Sequence, residues 1–135
     1  MGISTDAILF YGVDFSENEG LRYEDLPFAE SGEEDFVDTL LRLSGGRRYP
    51  KDGWLEDQKK AQENYPFDVI MHCSYNYQMF ALGLKSTKMV ASRGDPVFFD
   101  NFITPDPVEV RQLQEFLKEY DVEKTPSWIL CSMMG

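Results

Sequence analysis

The run Ala7-Ile8-Leu9-Phe10-Tyr11-Gly12-Val13 constrains the fold more than any other stretch of the chain. It is apolar at odd and even positions alike. Successive side chains of a strand leave on opposite faces, so a strand with this pattern must be covered on both sides. A chain of 135 residues, 42% hydrophobic and 14% aromatic, can provide that cover within one domain. At this length apolar burial sustains a core without disulfides or a structural metal.

The remaining periodicities divide the chain. Ser31 and Glu34 make a capping box, Glu33, Glu34 and Asp35 bring negative charge to a helix start, and Phe36, Leu40, Leu41 and Leu43 supply a face. Together they predict a helix over 33–44 that Gly45-Gly46 ends. A second, mostly solvated helix over 54–64 has a thin apolar side of Trp54, Leu55 and Ala61, and Pro66 closes it. From Phe67 the alternation is period two. Residues 67–74, 79–85 and 88–92 read as an antiparallel meander, with a turn at 75–78 and a tight hairpin at 85–88. Asp106, Pro107 and Glu109 start a helix over 107–120 whose stripe is Val110, Leu113, Leu117 and Tyr120. Residues 127–133 form the last strand.

The order β-α-(α)-β-β-β-α-β predicts a single α+β domain over 1–135. Its sheet is mixed and mainly antiparallel, of about five strands, with two helices packed on one face. The expected core is Ile8, Phe10, Leu40, Val69, Met71, Phe80, Leu82, Val90, Leu113, Leu117, Trp128 and Leu130. Phe98, Phe99 and Phe102 are expected to pack across the approach to the last helix.

Charge is distributed very unevenly. Residues 1–35 hold ten carboxylates against one base, Arg22, while residues 36–135 hold 14 acids and 12 bases. The first 35 residues thus account for −9 of a formal −11. Such a field repels nucleic acid and attracts cationic protein surfaces. The basic cluster Arg47, Arg48 and Lys51 is too small to reverse it, so no direct nucleic-acid binding is expected. The acidic insert at about 14–32 is not low in complexity, because Leu21, Tyr23, Leu26 and Phe28 punctuate it. These apolar residues suit a loop packed on the body.

The start Met-Gly-Ile-Ser-Thr-Asp has no basic n-region or long apolar segment, and Asp6 stands where a myristoylation signal needs Ser or Thr. No apolar run reaches the roughly 20 residues of a membrane helix, so a cytoplasmic protein without a membrane partner is expected. Cys73 and Cys131 are too few for a disulfide framework or a cysteine zinc site, and they read as buried reduced thiols. Asp14, Glu17 and Glu19 have alternating-oxygen spacing near Gly20, but the twelve-residue calcium-loop pattern is absent. No metal and no cofactor is expected, and Gly45-Gly46-Arg47-Arg48 follows a helix instead of opening one, so it is not a phosphate loop.

Two groups of residues are candidates for function. The acids Asp14, Glu17, Glu19, Glu24, Asp25 and Glu30 form a candidate partner-binding surface. His72, the only histidine, begins a polar run through Tyr75 and Tyr77, and Arg93 lies at a later strand end. Tyrosine is enriched at interfaces, and arginine grips phosphate or carboxylate bidentately. Each also has an ordinary structural reading: a satisfied core histidine, a plain turn, an arginine paired within the chain. On a strand, His72 and Cys73 point to opposite faces and cannot form a dyad, whereas Cys131 can approach either of them.

Four stretches are familiar together: Ser4-Thr5-Asp6-Ala7 leading to Leu9-Phe10-Tyr11-Gly12, then His72-Cys73-Ser74, then Ala91-Ser92-Arg93-Gly94, then Trp128-Ile129-Leu130. The combination resembles a set of small acidic accessory proteins of tailed bacteriophages without assigned function. The insert between Gly12 and Phe67 departs from the shorter versions. The resemblance implies a setting in the cytoplasm of a bacterial host, and no active site to transfer. The expected role is non-enzymatic: an acidic surface that binds a basic host protein, inhibiting a nucleic-acid-binding or defence component. The alternatives are a small enzyme or ligand-binding module built on the His72–Tyr77 region and Arg93, and a minor virion or assembly component.

Overall fold

The structure is a computed structural model describing residues 5–15, 22–30, 34–98 and 103–135. The doubly apolar N-terminal run forms β1 (Thr5–Asp14), which pairs with three other strands of the sheet. One edge of β1 pairs antiparallel with β5 (Ser127–Met134) from Thr5 to Gly12. Its other edge pairs with β4 (Met89–Ser92) and then, at residues 12–14, with β3 (Gln78–Leu84). β2 (Phe67–Ser74) is antiparallel to β3 and meets β5 in parallel at Cys73–Met133 and Ser74–Met134. The order is therefore β3-β2-β5-β1-β4, and the further β3–β1 pairing closes β1, β5, β2 and β3 into a ring.

The expected single-domain α+β fold with a mixed five-stranded sheet is what forms. Alternation assigns its two sides. Ile8, Phe10, Ile70, Ala81 and Met133 fill the inside of the ring. The space is tight enough to require glycine: a Cβ at Gly83 would lie 2.5 Å from the Phe10 ring, and one at Gly12 would collide with the Leu82 carbonyl. On the outer side Phe67, Phe80, Leu82 and Leu84 pack beneath α1 (Phe36–Ser44) and α3 (Pro107–Glu119), which contribute Leu40, Leu41, Leu113, Phe116 and Leu117. The solvated helix is α2 (Trp54–Asn64), and it buries only Ala61.

The acidic insert also enters this outer core. Phe28 is 2% exposed and its ring meets those of Phe15, Tyr23, Phe36, Phe116 and Tyr120, so one residue joins the insert to β1, α1 and α3. Leu26 is buried beside it. Residues 22–30 are thus a packed loop, as Tyr23, Leu26 and Phe28 imply.

Several expectations need correction. α1 starts at Phe36 with Asp35 as its N-cap and Asp38 completing the capping box, so the cap lies four residues later than Ser31, which lies outside the described residues with Glu33. Asp35 can accept from the Asp38 amide at 2.8 Å, which frees Glu34 for other bonds. The meander stops after β3. Lys85–Thr87 is a 3₁₀ turn that bends the chain, and β4 pairs with β1 instead of folding back on β3. Two core assignments fail. Leu130 is 73% exposed because it pairs with Leu9 on the outer face of β1 and β5, beyond the reach of the helices. Val90 sits on the four-residue edge strand β4 and is likewise exposed. Val69, Met71 and Trp128 are half-buried. Phe98 is 82% exposed instead of packed, and Phe99 and Phe102 lie outside the described residues.

Because Phe28 fills a site among five rings, Phe28→Ala should cost about 3–5 kcal/mol in urea unfolding. Leu130→Ala on the uncovered face should cost less than about 1 kcal/mol. Equal losses for the two would contradict this division of the core.

Candidate functional site

The ring closes at one end on two polar side chains. β2 turns Ile70 and His72 inward, and Asp14 follows Phe10 and Gly12 on the same parity of β1. His72 Nε2 lies 3.0 Å from Asp14 Oδ1, and the histidine is 7% exposed. This contact ties β1 to β2, two strands that share no ladder. Asp14 is therefore engaged with the ring interior and is not simply a member of a free acidic surface.

Cys131 belongs to the same interior cluster. Burial, and secondarily the Asp14 charge, push its thiol up to about 11. At neutral pH it stays protonated, and the thiolate is the nucleophilic form. No hydrogen bond joins Cys131 to His72 among the described residues, so the base–nucleophile contact that acyl-transfer chemistry needs is not formed. Cys73 is a free thiol at a backbone φ of 74°, a left-handed conformation uncommon for a side chain other than glycine or asparagine. Strict strand alternation therefore ends at His72.

The other members of the polar run face solvent. A two-residue loop at Tyr75-Asn76 is closed by reciprocal bonds between Ser74 and Tyr77, and the Ser74 hydroxyl accepts from the Tyr77 amide at 3.0 Å. Tyr75 and Tyr77 are exposed. Arg93 is exposed in the turn after β4 and makes no ion pair with a described residue. β4 and the β2–β3 loop reach the same end of the sheet, but no contact brings His72, Tyr75, Tyr77 and Arg93 together. Among the described residues no three His, Cys, Asp or Glu side chains gather as metal ligands. No helix there is long and apolar enough to cross a membrane.

The most extensive polar arrangement is one that the sequence does not announce. Arg42, in the last turn of α1, donates from Nε to Glu34 Oε1 at 2.9 Å and from Nη2 to the Phe28 carbonyl at 2.7 Å. Glu34 Oε2 accepts from the Glu30 amide at 3.0 Å and from the Thr39 hydroxyl at 2.9 Å. The Tyr23 hydroxyl lies 2.7 Å from Thr39 Oγ1. Arg48 adds a 3.4 Å contact to Glu34 and Arg42 a 3.5 Å contact to Glu30. Burial alone would raise Glu34, but Arg42, the Glu30 amide and Thr39 outweigh it and hold the carboxyl below the ordinary range. Burial holds the Tyr23 phenol above its ordinary value, opposed by the Thr39 bond and reinforced by Glu34.

Several expected docking acids have partners within the chain. Glu30 faces Arg42, Glu24 faces Arg22 at 3.3 Å, and Asp25 accepts from the Arg22 amide at 2.9 Å. Glu17 and Glu19 lie outside the described residues. The basic cluster is also occupied: Arg47 grips Asp57 at 2.8 Å, which with its backbone bond holds Asp57 down at about 2, and Arg48 turns toward Glu34.

The arrangement defines a single-domain α+β protein with a packed ring interior and an ion-paired acidic segment. No protein-family model, curated protein or solved structure matches this chain.

Two measurements test these assignments. The Glu34 carboxyl is lowered in the folded state, so its stabilisation is complete above the ordinary glutamate pKa of about 4.3 and is lost as pH falls through the lower folded value. Glu34→Gln should therefore destabilise at pH 7 by about 2 kcal/mol, leaving Arg42 only the longer contact to Glu30 as an ion pair, and flatten the acid limb of the stability curve. An unchanged acid limb would show that another group controls it. Alkylation of Cys131 in the native protein should rise steeply only as pH approaches 11, and Asp14→Asn should move that rise to lower pH.

Proposed function

We propose that the protein is a non-enzymatic binding protein whose acidic surface docks on a basic surface of another protein. One observation carries this reading. The described residues between Arg22 and Asp38 include six acids, Glu24, Asp25, Glu30, Glu34, Asp35 and Asp38, and only Arg22, Arg42 and Arg48 reach them. Half of the negative charge is left over, on a segment that Phe28 and Arg42 hold against the body. Exposed pairs such as Arg22–Glu24 contribute little and can exchange for a partner's bases. A field of this sign speeds encounter with a cationic surface and weakens as salt rises. The separation of His72 from Tyr75, Tyr77 and Arg93 gives no comparable support to an enzyme.

In the phage setting that the sequence resemblance implies, the partner is a host nucleic-acid-binding or defence protein, and the acidic surface takes the place of its nucleic acid. In capture from bacterial lysate, the partner should be released by about 0.5 M salt and displaced by duplex DNA. Neutralising Glu17, Glu19, Glu24 and Asp25 to their amides should weaken capture about tenfold or more. A partner held equally by that variant, or retained at high salt, would refute electrostatic docking.

A further inference from the structure

A cleft of about 210 Å³ opens between the C-terminal end of α2 and the exposed side of α3. One wall is Asn64, Tyr65, Pro66 and Phe67, and the other is Gln112, Glu115, Phe116 and Glu119. Behind it lies an aromatic cluster, of which Tyr65 is the accessible ring. The Phe67 and Phe116 rings, both buried, lie 4.8 Å apart, and half-buried Tyr65 stands over them at 5.7 and 6.1 Å. Its rim is anionic. Glu115 and Glu119 are one helical turn apart on the face that Phe116 shares, so both carboxylates border the same opening. Both are exposed, and neither forms an ion pair with a described residue, although Arg111 and Lys118 stand on the same helix.

Aromatic faces attract cations through their quadrupole, and alkyl stems of lysine and arginine lie well against apolar surface. A carboxylate at the mouth then completes a charge-assisted bond to the cationic head. An anion would be repelled by the two glutamates, and an uncharged apolar group would leave them without gain. We infer that this cleft receives a lysine or arginine side chain, presented by the basic partner of the proposed function, on whose existence that last clause rests. The cleft lies on helices remote in sequence from the acidic segment, so it gives the partner a second, geometrically specific point of attachment.

The small cations butylammonium and propylguanidinium test the cleft without any partner, in the full chain, by NMR shifts of the Tyr65 ring and the Glu115 and Glu119 amides. Saturable shifts are expected with both cations, and none with neutral butanol. The double variant E115Q/E119Q should weaken binding about tenfold, and Tyr65→Leu, which keeps an apolar wall, should weaken it several-fold. E24Q/D25N should leave it unchanged. Absence of saturable shifts, equal shifts with butanol, or full binding by E115Q/E119Q would overturn the assignment. Those results would leave the salt-sensitive lysate capture untouched, so the two readings fail separately.

Discussion

Phe28 is held from two directions, and the organisation of the N-terminal third depends on it. Its ring is enclosed by aromatic side chains from β1, α1, α3 and its own segment, while its carbonyl receives the Arg42 guanidinium. Dispersion and apolar burial hold the ring, and a charge-assisted bond fixes the backbone behind it. A strongly acidic loop would otherwise gain by moving away from its own charge. Here the buried ring supplies the attraction, and Arg42, by binding Glu34 as well, removes part of the repulsion at the same point.

That double attachment decides what the acidity can do. A freely moving anionic segment has to be ordered when it meets a partner, which costs conformational entropy. Residues 22–30 are already packed, so their uncompensated charge is presented at fixed positions. The ring interior serves a different purpose. His72 and Asp14 lie where a reader of sequence looks for chemistry, yet their contact joins β1 and β2 across the ring, and the protonated Cys131 nearby is a filler of the interior. The groups suited to recognition lie on the outside of the molecule.

The sequence conveyed the elements well wherever one periodicity dominated. The strand at 7–13, the stripe on α3 and the strands after Phe67 form where their patterns place them, although the outer face of β1 at Ala7 and Leu9 is not covered as the double-sided run predicts. Boundaries failed where two signals competed: Ser31 and Asp35 both precede a pattern that can start a helix, and Asp35 takes the cap while Glu34 binds Arg42. Leu130 shows another limit. Alternation identifies two faces of a strand, but it does not tell which face lies beyond the helices. The Arg42 network was illegible because an arginine in the last turn of an amphipathic helix has the same spacing whether it is solvated or bound fourteen residues away. The cleft flanked by Glu115 and Glu119 was hidden for the same reason, since it needs Tyr65 from a distant part of the chain.

The bend between β3 and β4 has a consequence for alignment. Where the main chain turns away at Lys85–Thr87, the Thr87 hydroxyl accepts from the Tyr11 amide at 3.0 Å and donates to the Leu84 carbonyl at 2.8 Å. A side chain thereby replaces the rung that the ladder lacks at that point. Sliding β1 by two residues would keep every inward position inward, so patterning alone does not forbid it. It would, however, bring Phe10 or Asp14 to the place of Gly12, where any Cβ would collide with the Leu82 carbonyl. One glycine thus makes the correct alignment distinguishable from its nearest look-alike, and the threonine joins the bend to the strand so aligned.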